Sequence, residues 1–169
     1  MVGRTVANRS RYDEYVNLMR YINLALVAIY AMGSGLWVST NDTWYRSLSS
    51  PSWQPPDWVF GTIWPYNFIV LALCGWLLPT RVSNSVSILW SALLLIGVVT
   101  ALIWAYQFYE AHNLGIATFS LLIVAVSAVA LLILSSHYLV RLWLLLIPYA
   151  IWVCLATALS YSYFKLNKP

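Results

Sequence analysis

The residues in this chain whose type and spacing can do chemistry are aromatic. Ten tryptophans and twelve tyrosines are spread over 169 residues, and three of the tryptophans (Trp53, Trp58, Trp64) fall within SSPSWQPPDWVFGTIW, residues 49–64. An indole offers a wide flat face and a single N–H donor, so its chemistry is stacking on flat apolar partners with one polar handle. Phe60, Trp64, Asn67 and Leu71 recur at i, i+4, i+7 and i+11, one stripe of a helix. Tyr149, Trp152, Ala156 and Tyr163 mark a comparable stripe near the C-terminal end. Ordinary helix packing uses the same spacing as a ligand-lining face, and the residues alone leave both readings open.

Other chemistry is missing from the apolar segments. They carry no carboxylate or histidine for a proton relay, which argues against a proton-coupled pump. His112 and His137 fall in different short links, so a histidine-ligated metal or haem iron is not expected. Neither a Ser–His–acid set, a phosphate-binding loop nor a glycine-rich dinucleotide fingerprint is present.

The elements that must position these aromatics are membrane spans. The composition is 62% apolar and 8% charged, with a mean hydropathy of +0.74, against about 25% charged in an ordinary soluble domain. Five apolar segments stand near residues 21–38, 58–78, 86–107, 114–134 and 142–163, each close to the roughly 20 residues that cross a bilayer as a helix. The expected fold is an all-α integral membrane protein, a five-transmembrane-helix bundle in one domain over 1–169. A long structured loop, from Ser39 to Asp57, joins its first two helices. The other links are short, which predicts antiparallel, adjacent neighbours. Pro55 and Pro56 stiffen the end of the long loop, and Pro56 suits a first helical turn. Asp57 then sits at the positive end of the helix dipole. Pro65 and Pro148 fall inside spans and are expected to kink them, freeing the carbonyls of Gly61 and Leu144.

The net charge of +4 forms no basic face, so nucleic acid is not an expected partner. Arg4, Arg9, Arg11, Arg20, Arg81 and Arg141 share one side of a five-span topology, against Arg46, Lys165 and Lys168 on the other. That bias favours a cytoplasmic N-terminus in a bacterial host. Cys74 and Cys154, both within apolar runs, read as buried free thiols rather than a disulfide framework. No cleavable signal peptide is expected, and Asp13 and Glu14 argue against a transit sequence built on Arg4, Arg9, Ser10 and Arg11.

Extended to TWYRSLSSPSWQPPDWVFGTIW, the opening stretch resembles the first-loop signature of the TspO/MBR family, the translocator proteins or tryptophan-rich sensory proteins. Trp44, Tyr45, Leu48, Pro51, Trp53, Pro55, Pro56, Gly61 and Trp64 fit that pattern. The ending IPYAIWVCLATALSYSYFKLN resembles the family's fifth helix through Pro148, Tyr149, Trp152, Ala156, Thr157, Leu159 and Ser160. The middle departs from it: the family's helix-three asparagine falls near Thr100 or Ala101, the prolines after it are absent, and Ser120 stands where helix four often has an acid. These departures bear on ligand selectivity rather than fold.

The resemblance implies a membrane receptor for tetrapyrroles such as protoporphyrin IX, with sterols or aromatic drugs as further ligands. Its pocket would be lined by Tyr45, Pro55, Phe60, Trp64, Asn67, Tyr149, Trp152 and Ala156, with Thr100, Ala101 and Ser120 as further lining. Ala156, one turn beyond Trp152, would leave room for a flat ligand against the indole, while Tyr45 and Pro55 close the mouth. Arg46 could pair with a propionate or simply be solvated. Trp53 and Trp58 suit headgroup anchors equally well. Leu159, Tyr161 and Lys165 satisfy a loose sterol pattern, which an aromatic belt with a snorkelling lysine also explains. No cofactor is required; porphyrin enters as ligand. The alternatives are a slow light- and oxygen-dependent porphyrin breakdown using Trp64 and Trp152, and a structural or transport protein with an altered pocket. Expected partners are membrane lipid and a second copy of the chain. Ala25, Ala28, Ala31, Gly33 and Gly35 give helix one a small-residue surface that suits a dimer or packing within the monomer. A bacterial cell membrane is the default location, the mitochondrial outer membrane the eukaryotic one.

Overall fold

Lipid offers the backbone no hydrogen-bond partners, so a spanning chain must satisfy its N–H and C=O groups within helices. The computed structural model follows that rule. It describes residues 2–38 and 42–168, with side chains from residue 10 onward; the side chains of Arg4 and Arg9 in the orientation argument, and Ser39 of the loop, lie outside what is described. The elements are α1 (Val2–Trp37), α2 (Thr43–Ser47), α3 (Asp57–Leu77), α4 (Asn84–Tyr109), α5 (Leu114–Ser136) and α6 (Leu146–Leu166), with 3-10 turns at Leu78–Thr80 and Val140–Leu145.

Five helical stretches are long and apolar enough to cross a membrane: Ser10–Trp37, Asp57–Thr80, Asn84–Tyr109, Leu114–Ser136 and Val140–Leu166. The chain is an integral membrane protein with the expected all-helical, five-span fold. The sequence reading differs most at the start of α1, which runs on through the polar residues before residue 21. Hydropathy marks where a helix enters lipid, whereas nothing in RYDEYVNLMR, residues 11–20, stops a helix in water.

The long helices close into a ring in the order α1, α4, α5, α6, α3. Contrary to the expectation for short links, α3 and α4 are not a closely packed backbone pair. The segment Leu78–Ser83 steps across and α1 packs against both helices. Large apolar side chains such as Phe119, Val126 and Ile133 point outward, as a lipid solvent permits. Trp90, Tyr30, Tyr149 and Leu71 fill the interior.

The second correction concerns Pro148. Pro148 is the third residue of α6, just after the 3-10 turn Val140–Leu145 with which the span begins. The Leu144 carbonyl is not freed, since it accepts from the Leu146 N–H. Pro65, by contrast, does lie inside α3.

One polar clasp crosses the interior. The Asn23 amide donates to the Gly75 carbonyl (2.9 Å) and accepts from Ser91 Oγ (2.7 Å), joining α1, α3 and α4. Nearby, Trp90 Nε1 donates to Ser135 Oγ at 3.0 Å and ties α4 to α5. Interhelical hydrogen bonds in membranes contribute only about 0.6 kcal/mol on average, so the close approach they accompany matters as much. A Cβ at position 75 would lie 2.8 Å from Asn23 Cβ and 3.2 Å from the Trp90 ring. Gly33 and Gly35, expected to form a small-residue surface, divide: a Cβ on Gly33 would meet Leu102 within the chain, whereas one on Gly35 would meet nothing. Gly75→Ala is therefore expected to destabilise the bundle by about 1–3 kcal/mol through overpacking, while Gly35→Ala leaves stability unchanged or slightly raised. Thermal unfolding of the two variants in the same detergent checks this.

Candidate functional site

The long loop is built as a lid. Asp42 caps α2 by accepting from the Trp44 N–H at 3.2 Å. The Trp44 indole then stacks on His112, with ring centroids 3.8 Å apart and planes 11° from parallel. His112 holds a positive φ of 56° in the α4–α5 link, a left-handed turn that follows the end of α4. Tyr45 descends into a cluster with Phe108, Tyr109 and Tyr163, at centroid separations of 6.3, 5.7 and 6.1 Å.

The far half of the lid is fastened to the end of α6. Asn167 accepts from the Ser49 N–H (2.8 Å) and donates to the Ser49 carbonyl (3.0 Å) and to the Tyr163 carbonyl (2.9 Å). Tyr163 Oη donates to Gln54 Oε1 and lies 3.4 Å from Tyr45 Oη. A stretch with no long helix of its own is thus held to α6 by backbone and side-chain bonds at Ser49, Gln54 and Tyr45.

Beneath it lies a cavity of about 500 Å³. Its walls come from the C-terminal part of α1 (Ala31, Ser34, Gly35) with Val38 just beyond it, the N-terminal half of α3 (Asp57 to Phe68), the end of α4 (Trp104, Phe108, Tyr109) and the outer part of α6 (Ala156 to Tyr163). Gly61 and Pro65 both face it, so the helix turn that loses its hydrogen bond at Pro65 borders the cavity. At the inner end, Trp64 meets Phe68 in a stacked pair (5.8 Å, 24°) and Tyr30 edge-on (6.0 Å, 69°).

Of the residues expected to line a pocket, Tyr45, Phe60, Trp64 and Ala156 are brought together in this wall. Trp152 stands behind it: its ring meets Phe60 edge-on at 5.1 Å, and it is buried in the helix packing. Tyr149 and Asn67 lie deeper in the bundle, Asn67 fully buried with both amide atoms unpartnered. Pro55 is half-buried in the lid but outside the wall, where its neighbour Gln54 makes the contact with Tyr163. Thr100 bonds its own helix at Ile96 O (2.7 Å), and Ala101 and Ser120 are buried between helices, none of the three in the wall.

The sterol-pattern residues divide as well. Leu159 lines the cavity, whereas Tyr161 is exposed on the outer face with Lys165 Nζ 5.7 Å above its ring. Trp58 is 71% exposed and Trp53 46%, and neither is in the cavity wall.

The sequence reading missed Asp57, Trp104, Phe108 and Tyr109 as wall residues. The run WAYQFY, residues 104–109, carried the signal, since Trp104 and Phe108 are spaced i, i+4. The family resemblance points one turn earlier, to Thr100 and Ala101.

Known proteins resemble this chain over most of its length. A family model described as "TspO/MBR family" matches residues 22–166. Protein CrtK of Rhodobacter capsulatus is 30% identical over 158 residues, covering 86% of this chain and 95% of that protein. Tryptophan-rich protein TspO of Bacillus cereus is 34% identical over 126 residues, 74% of this chain and 81% of its own. The human Translocator protein is 30% identical over 129 residues, 73% and 75% respectively.

Because Asn167 closes the lid through Ser49, Asn167→Ala is expected to expose the Ser49 amide. Hydrogen exchange should show protection there falling by about tenfold or more, the loss of roughly 1.5 kcal/mol of local bonding. The α4 amides around Ala101 should keep theirs.

Proposed function

Because this chain belongs to the TspO/MBR family, we propose that it is a membrane receptor that binds flat, largely apolar ligands, tetrapyrroles foremost, in the cavity beneath its lid. The observation that carries the reading is the cavity itself, about 500 Å³ with Phe60, Trp64, Phe68, Trp104 and Phe108 in its wall. Small-molecule sites typically occupy about 300–1,000 Å³ and are mostly apolar with a few placed polar groups. Here those polar groups are the hydroxyls of Tyr45, Tyr163 and Ser160, with Ser34 and Asp57.

The physical logic runs from wall to ligand. A tetrapyrrole presents a broad π face, and burying it against Trp64 and Phe68 removes apolar surface from water at about 25 cal/mol per Å². The indole face adds quadrupole-directed stacking of about 0.5–1.5 kcal/mol. Sterols and aromatic drugs share the apolar body, and the same wall suits them. The lid covers one side of the cavity, where Tyr45 and Gln54 both bond to Tyr163.

Titration with protoporphyrin IX in detergent, followed by tryptophan fluorescence, tests the proposal. Saturable quenching is expected, and Trp64→Phe should weaken binding by roughly 5–10-fold, the loss of one indole contact. Trp152→Phe, which reaches the cavity through Phe60, should weaken it less, and Trp58→Phe not at all. Quenching that is non-saturable, or indifferent to Trp64, would refute the site.

A further inference from the structure

We propose that Asp57 is a charge-selecting residue at the cavity mouth, so that of two ligands sharing one apolar body the neutral or amine-bearing one binds more tightly than the carboxylate-bearing one. This rests on the reading of the cavity as a ligand site and specifies what that site selects.

Asp57 is the one carboxylate in the cavity wall among the described residues, and no lysine, arginine or histidine lines it. It is the first residue of α3, follows Pro56, and is exposed to water. A bare helix N-terminus offers partial positive charge and free N–H groups to an anion. Here that end already holds a fixed carboxylate, so an incoming carboxylate would meet a like charge rather than an open helix end.

The cations on this side of the bundle do not restore the balance inside the cavity. Lys165 lies over the Tyr161 ring and Lys168 over the Phe164 ring at 4.5 Å, both away from the wall. Arg46 is on α2 and is not a wall residue. The remaining polar groups of the mouth, Tyr45, Tyr163 and Tyr109, are neutral hydroxyls that accept or donate without preference for an anion. A ligand ammonium or N–H edge placed near Asp57 gains a charge-assisted hydrogen bond that a propionate cannot make.

Two probes with one macrocycle separate the charge from the apolar body: protoporphyrin IX and its dimethyl ester. Tryptophan quenching is measured for both with the full chain, Asp57→Asn and Asp57→Lys. Comparing each variant's ratio of affinities cancels differences in probe solubility. Asp57→Asn is expected to strengthen binding of the diacid by roughly three- to tenfold, the scale of one nearby partly screened charge. The ester should change by less than about twofold, having no charge to repel. Asp57→Lys should extend the gain for the diacid. An unchanged ratio of diacid to ester in both variants would overturn charge selection while leaving the ligand site standing. Absence of saturable quenching by either probe would overturn the ligand reading itself, and charge selection with it.

Discussion

The architecture depends on how closely α1 and α3 approach at one end of the bundle. Asn23 reaches the Gly75 carbonyl only because position 75 has no side chain, with Trp90 closing over the same spot. Toward the lid the same two helices are separated by the cavity, which is bordered by Ala31, Ser34 and Gly35 on α1 and by Phe60, Gly61 and Trp64 on α3. Tyr30, set edge-on to Trp64 and Phe68, marks the transition from packed helix pair to open space. A bundle clasped at one end can hold a gap at the other without losing its ring of contacts. The lid then bridges the gap from α4 to α6, through Trp44 on His112 and Ser49 on Asn167.

Much of the fold was legible because lipid imposes simple rules. Twenty apolar residues without a charge can only be a helix in hydrocarbon, and the later four spans fall within three residues of where hydropathy puts them. The errors have physical causes too. The polar start of α1 is helical in water, where hydropathy is silent. Helix order around the ring is a tertiary property, and the six residues after α3 are enough to let α1 pack against both α3 and α4.

The site was legible where the chain's local geometry decides it. Tyr45, Phe60, Trp64 and Ala156 were identified from motif and stripe, and they meet in one wall. Trp152 belongs to the same motif, but helix rotation turns it onto Phe60 instead of the cavity, and a stripe of fixed spacing does not report rotation. Asn167 and Gln54 were invisible in advance, because each acts through a partner more than a hundred residues away in sequence. Asp57 was read as a helix-dipole charge, which it is; that it also faces a cavity depends on where α1 and α6 stand.

The central claim is that ligand enters the cavity between α1, α3, α4 and α6 and does not merely adsorb to the aromatic outer surface. Fluorine NMR of protein carrying 5-fluorotryptophan reads both places at once. Trp64 and Trp104 border the cavity, Trp58 faces outward, and Trp76 lies at the clasped end under Arg20. Addition of protoporphyrin IX should shift the Trp64 and Trp104 resonances to saturation and leave Trp58 and Trp76 in place. Shifts confined to Trp58, with Trp64 and Trp104 unmoved, would contradict the account.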